Sequence, residues 1–208
     1  MGQAAPLHRM SAEDFLAWDA HETIKHEFVQ GEVFAMAGAE EGHVTASLNI
    51  AMALRTHLAG TGCRTFMADM KLRVEAADCF FYPDVMVTCS ANDAADLKIK
   101  REPTLVAEVL SPSTAGYDRG DKFAAYRLLP TLQEYLLVDP ESRRCDLYRK
   151  GDDGLWVLHP VEPGQDLGLA SVGLTVPAAA LWAEMPQPAA DVATDTARDA
   201  ARRQSSPP

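Results

Sequence analysis

Apolar and polar positions alternate along the chain in short blocks, and these blocks predict several strands. In TFMADMKLRV, residues 65–74, apolar side chains at every second position are typical of a half-buried strand. FFYPDVMVTC and LVAEVL are mostly apolar and predict two further strands. HEFVQGEVFAMAG predicts two short strands around a turn at Gln30 and Gly31.

Other blocks have helical spacing. Ser11 followed by Asp14 resembles a capping box and predicts a short first helix. HVTASLNIAMALRTHLAG predicts a longer helix that ends near Gly60. The residues of this helix predicted to face the core are Val44, Leu48, Met52 and Leu58.

The second half of the chain predicts a crossover unit and a hairpin. A helix over 118–129 separates LVAEVL from EYLLVD, so these two strands are expected to be parallel neighbours. RCDLYRK and LWVLHPV flank GDDG and predict a hairpin. The expected fold class is therefore α/β, specifically an α+β mixed sheet flanked by helices.

The 208 residues, of which 47% are hydrophobic, suit one domain with a substantial core. We predict a flexible N-terminus over 1–10 and a single domain over 11–186. The segment 187–208 is rich in Ala, Asp, Pro and Ser and predicts a disordered tail.

The lack of an apolar membrane-span pattern and of a signal-peptide pattern favours a cytoplasmic protein. No apolar run approaches the roughly 18 residues of a membrane span, and the N-terminal residues lack the apolar core of a signal peptide. Membrane partners are therefore not expected. The cysteines lack CxxC spacing and lie in apolar stretches, which favours reduced core thiols over a zinc site or disulfides. They are Cys63, Cys79, Cys89 and Cys145.

The formal net charge of −11 excludes binding to nucleic acid by bulk electrostatics. A protein of this charge that acts on a polyanion needs a local basic patch or a bound cation.

One ionisable residue interrupts an apolar strand. Glu108 lies within LVAEVL, and a carboxylate buried without a partner costs several kcal/mol. Asp84, directly after Pro83, begins another apolar stretch where proline favours an edge or bulge. Two acids at one point are hard ligands for Mg²⁺ or Mn²⁺, which neutralise phosphate charge and activate water for phosphodiester hydrolysis.

A lysine on the crossover helix completes the expected site. Lys122 follows Asp118 in the first turn of that helix, which packs back over the Glu108 strand. Lys71 is a rival for the same role. Ser111, in the turn after the strand, could donate a hydrogen bond near the metal.

Structural interpretations of the same residues stay open at this point. Glu108 could form a buried ion pair without function, with Lys122, Arg119 or Arg101 as its partner. Asp84 could belong to an ordinary Pro-Asp turn, and Lys122 could be a solvated surface lysine.

The stretches FFYPDVMVTC, LVAEVLSPSTAGYDRGDKFAAYR and LQEYLLVDP resemble the Uma-type family of restriction endonucleases, within the PD-(D/E)xK nuclease superfamily. The resemblance runs from GEVFAMAGAEEGH to RCDLYRK. It implies a restriction-endonuclease-like core, divalent-metal chemistry, and Asp84 with Glu108 as paired metal ligands.

The chain departs from the superfamily pattern at one position. A lysine is expected two residues after the second acid, but residue 110 is Leu. In the Uma-type family the lysine is thought to have moved to the following helix, which corresponds to Lys122. The same resemblance implies Glu32 and His43 as further site residues.

The expected function is a metal-dependent endonuclease, with DNA a more suitable substrate than RNA. Cleavage of both strands of a duplex would suit a homodimer, by analogy of fold. Two alternatives belong to other classes: a non-catalytic interaction protein with a vestigial nuclease fold, and a metal-dependent hydrolase of a smaller phosphate ester.

Overall fold

A computed structural model describes residues 9–186. Residues 1–8 and 187–208, which include most of the predicted flexible N-terminus and all of the predicted tail, lie outside the described residues. Met10 donates its N–H to the carbonyl of Gly31 at 2.9 Å. Backbone pairing therefore begins before Ser11, where the domain was expected to start.

Thirteen strands form within these residues. They are β1 (His26–Val29), β2 (Glu32–Ala35), β3 (Arg64–Met67), β4 (Lys71–Val74), β5 (Cys79–Phe81), β6 (Val85–Thr88), β7 (Ile99–Lys100), β8 (Pro103–Val109), β9 (Glu134–Asp139), β10 (Arg144–Lys150), β11 (Trp156–Val161), β12 (Leu167–Leu169) and β13 (Leu174–Val176).

The helices are α1 (Ala12–Asp19), α2 (Glu41–His57), α3 (Ala91–Ala95), α4 (Ala115–Tyr117), α5 (Phe123–Tyr126) and α6 (Ala178–Leu181). A π-helical turn, Asp118–Lys122, joins α4 to α5, and short 3₁₀ turns span Glu75–Ala77 and Ala170–Val172. The hydroxyl of Ser11 accepts a hydrogen bond from the N–H of Asp14, which confirms the predicted N-cap of α1.

Two larger sheets carry the fold. One has the order β2-β1-β5-β4-β7, and the other has the order β11-β10-β9-β8-β6-β3. β8 and β9 are parallel neighbours, and β10 with β11 is an antiparallel hairpin, so both predictions are confirmed. The mixed α/β class expected from the sequence is also confirmed.

Two predicted strands are each divided between the sheets. The prediction of one strand over TFMADMKLRV was wrong because the backbone breaks at Ala68, whose φ is 54°, between β3 and β4. FFYPDVMVTC likewise splits into β5 and β6 around Pro83. The N–H of Ala68 lies 3.2 Å from the carbonyl oxygen of Pro83 and 3.1 Å from that of Asp84. The chain therefore passes between the two sheets twice, at Ala68 and at Pro83, and the two crossings lie side by side.

Helices cover both faces of the six-stranded sheet. α2 packs on one face through Ala46, Ile50 and Leu54, and α5 packs on the other through Phe123 and Tyr126. Their side chains meet alternate residues of β8, because successive side chains of a strand point to opposite faces.

The predicted core face of α2 was wrong for three of its four residues. Val44, Leu48 and Met52 are exposed, and only Leu58 is buried. The buried side includes the small residues Ala46, Ser47 and Ala51. Small side chains let a helix approach a sheet closely, so this face packs inward although it is less apolar.

The cysteine prediction was half right. Cys79 and Cys145 are buried free thiols, but Cys63 and Cys89 form a disulfide. Antiparallel pairing of β3 with β6 sets Arg64 opposite Thr88, so the two cysteines that flank this pair are neighbours. Between residues 9 and 186 no helix has the length and apolar character needed to cross a membrane.

Candidate active site at the sheet junction

Glu108 is the buried acid at the centre of the site. Its side chain is on the α5 face of β8, the face that also carries Val106 and Leu110. The residue is only 2% exposed. The strand alternation therefore places a carboxyl group among apolar side chains, where its polar partners come from neighbouring elements.

Asp84 lies across from Glu108. Val85 pairs with Ala107 in the antiparallel ladder, so the preceding residue, Asp84, is opposite Glu108. The N–H of Val109 donates to Asp84 Oδ2 at 2.8 Å, and the N–H of Asp84 donates to Glu108 Oε2 at 3.3 Å. Each carboxylate therefore contacts the backbone beside the other, and the two acids converge.

Lys122 reaches Glu108 from the π-helical turn. Its Nζ is 3.2 Å from Glu108 Oε1, 3.2 Å from Glu27 Oε1 and 3.6 Å from Asp118 Oδ1. The side chain is 9% exposed and lies over the ring of Phe81. π-Helical turns are rare and frequently occur at functional sites, and this one aims the ammonium group inward.

Glu27 on β1 completes a cluster with Asp84, Glu108, Asp118 and Lys122. The sequence did not indicate Glu27 as a site residue. Its Oε1 accepts a hydrogen bond from the N–H of Tyr82 at 3.3 Å as well as contacting Lys122. In HEFV the glutamate alternates with apolar or aromatic neighbours, which is typical of a solvent-facing strand residue. Glu27 contacts Lys122 because the five-stranded sheet, which contains β1, meets the six-stranded sheet at this junction.

Protonation in the cluster follows from burial. The pKa of Glu108 is raised to about 8, because desolvation outweighs the attraction of Lys122 and the charge of Asp84 adds to the rise. Burial also raises the pKa of Asp118. For Lys122 burial acts in the opposite direction, but Glu108, Glu27 and Asp118 raise its pKa well above the ordinary value, so it stays charged.

Two further side chains hold the acids in place. Tyr126 donates its hydroxyl to Glu108 Oε1 at 2.7 Å. His43, in the first turn of α2, has its Nε2 3.1 Å from Asp84 Oδ2. Burial lowers the pKa of His43, but the hydrogen bond and charge of Asp84 leave it raised overall.

A family model described as "Uma2: Putative restriction endonuclease" matches residues 12–179. This range contains every member of the cluster. The chain belongs to the Uma2 family. The family expected from the sequence is therefore confirmed.

Relatives and a solved structure agree with this assignment. The chain is 38% identical over 172 residues to the uncharacterized protein slr1290 of Synechocystis sp. PCC 6803, covering 83% of this chain and 90% of that protein. It is 37% identical over 152 residues to sll1609 of the same organism, covering 72% and 85%. A crystal structure of a "putative nuclease belonging to DUF820" from Anabaena variabilis superimposes with a TM-score of 0.69 at 15% identity, over 83% of this chain and 97% of that one. It confirms the nuclease-like fold.

The remaining residues expected in this Uma2 site have partners elsewhere. Ser111 Oγ is 3.0 Å from both Ser113 Oγ and Thr114 Oγ1, within the turn that leads into α4. The Glu32 carboxylate binds Arg9 at 2.7 Å. Lys71 Nζ is 2.5 Å from Asp19 Oδ2, so Lys122 is the lysine at the Glu108 carboxylate.

The alternative arginine partners of Glu108 are also accounted for. Arg101 binds Asp96 at 2.9 Å, and Arg119 lies 3.6 Å from Asp146. The ion pair of Glu108 with Lys122, one of the structural interpretations left open by the sequence, is present. It occurs, however, beside a second acid rather than in isolation.

The donor set limits the metal that the site could hold. Within residues 9–186 no three His, Cys, Asp or Glu side chains are grouped as metal ligands. Asp84 and Glu108 offer two carboxylates, and Asp84 is 21% exposed. This fits Mg²⁺ or Mn²⁺, which bind through one or two carboxylates and keep several water ligands, and does not fit an ion that needs an all-protein cage.

Proposed function

We propose that this Uma2 protein is a metal-dependent endonuclease that hydrolyses phosphodiester bonds in nucleic acid, with DNA as the preferred substrate. The observation that carries the proposal is the contact of Lys122 with Glu108 beside Asp84, at the junction of the two sheets. Two acids and a lysine drawn from three separate elements lie together, and the family model that matches this chain is described as a putative restriction endonuclease.

Asp84 and Glu108 would hold the cation, either Mg²⁺ or Mn²⁺. When bound, the metal supplies neutralisation of phosphate charge and activation of a water molecule. A cation at this point also answers the objection raised by the net charge of −11, because it gives the site a local positive charge towards a polyanion.

Lys122 is proposed to stabilise the negative charge that develops on the phosphate during hydrolysis. Glu27 and Asp118 fix the direction of its ammonium group, so little reorganisation is required when substrate binds. His43 is proposed to orient the Asp84 carboxylate through its 3.1 Å contact. A nucleic-acid substrate is compatible with the cytoplasmic location expected from the sequence.

The direct test incubates the purified protein with supercoiled plasmid in Mg²⁺, in Mn²⁺ and in EDTA. The wild type is expected to nick or linearise the plasmid only with metal. Asp84→Asn keeps an acceptor for the N–H of Val109 but removes the charge, so we expect activity to fall by about 10²-fold or more. Asp152→Asn, in the exposed turn between β10 and β11, is the matched control and should cleave like the wild type.

The outcomes separate the competing functions. Cleavage that persists in Asp84→Asn would assign activity to another site or to a contaminant. Metal binding without cleavage of DNA or RNA, but with hydrolysis of a small aryl phosphate diester, would favour the smaller-substrate hydrolase. Absence of both metal binding and cleavage would favour the vestigial fold.

A further inference from the structure

The solvent-facing side of α2 is apolar across its central turns. Val44, Leu48 and Met52 follow one another at four-residue spacing and are 50%, 46% and 58% exposed. Residues at this spacing lie above one another on a helix, so they form one continuous stripe. Single exposed apolar residues are normal, but a contiguous patch marks a contact surface.

Residues of opposite charge lie at the two ends of this stripe. Glu41 lies in the first turn of α2 and Arg55 lies in the last turn, and both are exposed. The pattern is symmetric about Leu48. Val44 and Met52 are four residues to either side of it, and Glu41 and Arg55 are seven residues to either side.

We propose that this stripe is the interface of a homodimer, in which two copies of α2 pack antiparallel about a twofold axis through Leu48. Leu48 then meets the partner's Leu48, and Val44 meets the partner's Met52. Glu41 meets the partner's Arg55 at both ends. A twofold interface uses the same patch on both subunits. This patch is complementary to itself, because its apolar residues are spaced evenly about Leu48 and its two end charges are opposite.

The charges select both the partner and the orientation. A parallel pair of helices would place Glu41 against the partner's Glu41, which repels, whereas the antiparallel pair forms two attractive contacts. Antiparallel packing also sets the opposite ends of the two helix dipoles side by side. A second copy of this chain is therefore the occupant that the surface fits. The inference does not depend on the catalytic proposal, because it rests on the exposed side of α2 alone.

The first test measures the mass of the full-length protein by sedimentation velocity up to about 100 µM, where mass action favours association. We expect twice the chain mass of 22.6 kDa. Leu48→Glu should be monomeric, because the twofold brings two added charges together. Val157→Glu is the control, since Val157 is 52% exposed on β11 and lies outside the stripe. Circular dichroism should show both variants folded, because both positions are exposed.

The second test checks the antiparallel register. Glu41→Arg and Arg55→Glu alone each create two like-charge contacts and should weaken the dimer about tenfold. The double variant exchanges the charges and should return within about threefold of the wild type. A hydrophobic contact of any other orientation would not give this rescue.

Three results would overturn the proposal. A wild-type chain that remains monomeric would leave the stripe to a different protein or to other residues of the chain. A Leu48→Glu variant that stays dimeric, or a Val157→Glu variant that becomes monomeric in its place, would move the interface elsewhere. A double charge exchange that fails to restore affinity would exclude the antiparallel arrangement about Leu48.

Discussion

Glu108 and Glu134 are buried glutamates on adjacent parallel strands, but their surroundings differ. Glu134 is 0% exposed, and its carboxylate accepts four hydrogen bonds. Arg149 Nε donates at 2.8 Å, the N–H of Ala170 at 3.1 Å, and the N–H and hydroxyl of Ser171 at 3.0 and 2.5 Å. Glu134 therefore has a structural role: its carboxylate is fully hydrogen-bonded and links the 3₁₀ turn Ala170–Val172 to β9.

Glu108, by contrast, shares its cation. Lys122 is divided among Glu108, Glu27 and Asp118, and Asp84 adds a further acid beside them. Burial is the largest cause of the raised pKa of Glu108, and the negative charges of Asp84 and Asp118 add to it, while the shared Lys122 offsets only part of the rise. Burial alone therefore does not identify a functional acid. A buried acid whose neighbouring negative charges are not balanced by positive ones is the better indicator of function, because a bound metal cation would supply the missing positive charge.

The largest expected difference between the two glutamates is in catalysis. Glu108→Gln preserves size and a hydrogen-bond acceptor but removes a proposed metal ligand, so metal-dependent plasmid cleavage should fall about 10³-fold. Glu134→Gln should retain activity within about threefold once its folding is verified, because Glu134 contacts no member of the site. Equal losses in both variants would mean that Glu108 acts through stability.

The next effect concerns the shared lysine. Lys122→Met removes the cation of the cluster while keeping an unbranched side chain, and we expect cleavage to fall about 10²-fold. Lys71→Met is the matched control, because Lys71 also pairs with a buried acid, Asp19, on another part of the fold. Cleavage rates at saturating Mn²⁺ decide between the two lysines. Loss of activity in Lys71→Met with retention in Lys122→Met would reverse the assignment.

A smaller effect should appear in the pH dependence of stability. In the folded protein the pKa of Glu108 is about 8, against 4.5 for an ordinary glutamate. Between these values the folded state keeps a proton that the unfolded chain has lost. Stability from Glu108 is therefore complete below about pH 4.5 and is lost as the pH rises through about 8.

Urea unfolding in EDTA at about pH 5 and about pH 8 measures this contribution. The wild type should lose stability relative to Glu108→Gln by at most about 1.4 kcal/mol per pH unit across the window. Parallel pH curves for the two proteins would show that the Glu108 carboxyl is ionised throughout.

The smallest predicted effect is that of Tyr126→Phe. This change removes the 2.7 Å hydrogen bond to Glu108, worth about 1 kcal/mol. Because that bond favours the ionised carboxylate, the pH profile of stability measured in EDTA should move upwards by about half a unit. Tyr148→Phe, whose ring packs on Phe123 at 4.4 Å, should leave the profile unchanged. A downward shift in Tyr126→Phe would contradict the described protonation.

Strand alternation and the spacing of the crossover unit were sufficient to predict the part of the site carried by β8. They placed Glu108 in a buried strand, and the register with Asp84 and the contact with Lys122 follow from the predicted neighbours. Glu27 could not be found in this way. Its inward position depends on the junction of two sheets, which no local pattern encodes.

The errors have the same origin in tertiary structure. α2 has apolar residues on two sides, so periodicity could not tell which side would be buried, and the small residues Ala46 and Ala51 decided it. Cys63 and Cys89 are 26 residues apart and become neighbours only through the pairing of β3 with β6. Each case needed a register or a packing distance that the sequence does not supply.

Direct titration with Mn²⁺ tests the central claim, that Asp84 and Glu108 share one metal ion. Calorimetry on the wild type, Asp84→Asn, Glu108→Gln and Glu134→Gln would report stoichiometry and affinity without any assumption about substrate. We predict one ion per chain for the wild type and Glu134→Gln, and binding weakened about 10-fold or more in the other two. Unchanged affinity in both Asp84→Asn and Glu108→Gln would contradict the account.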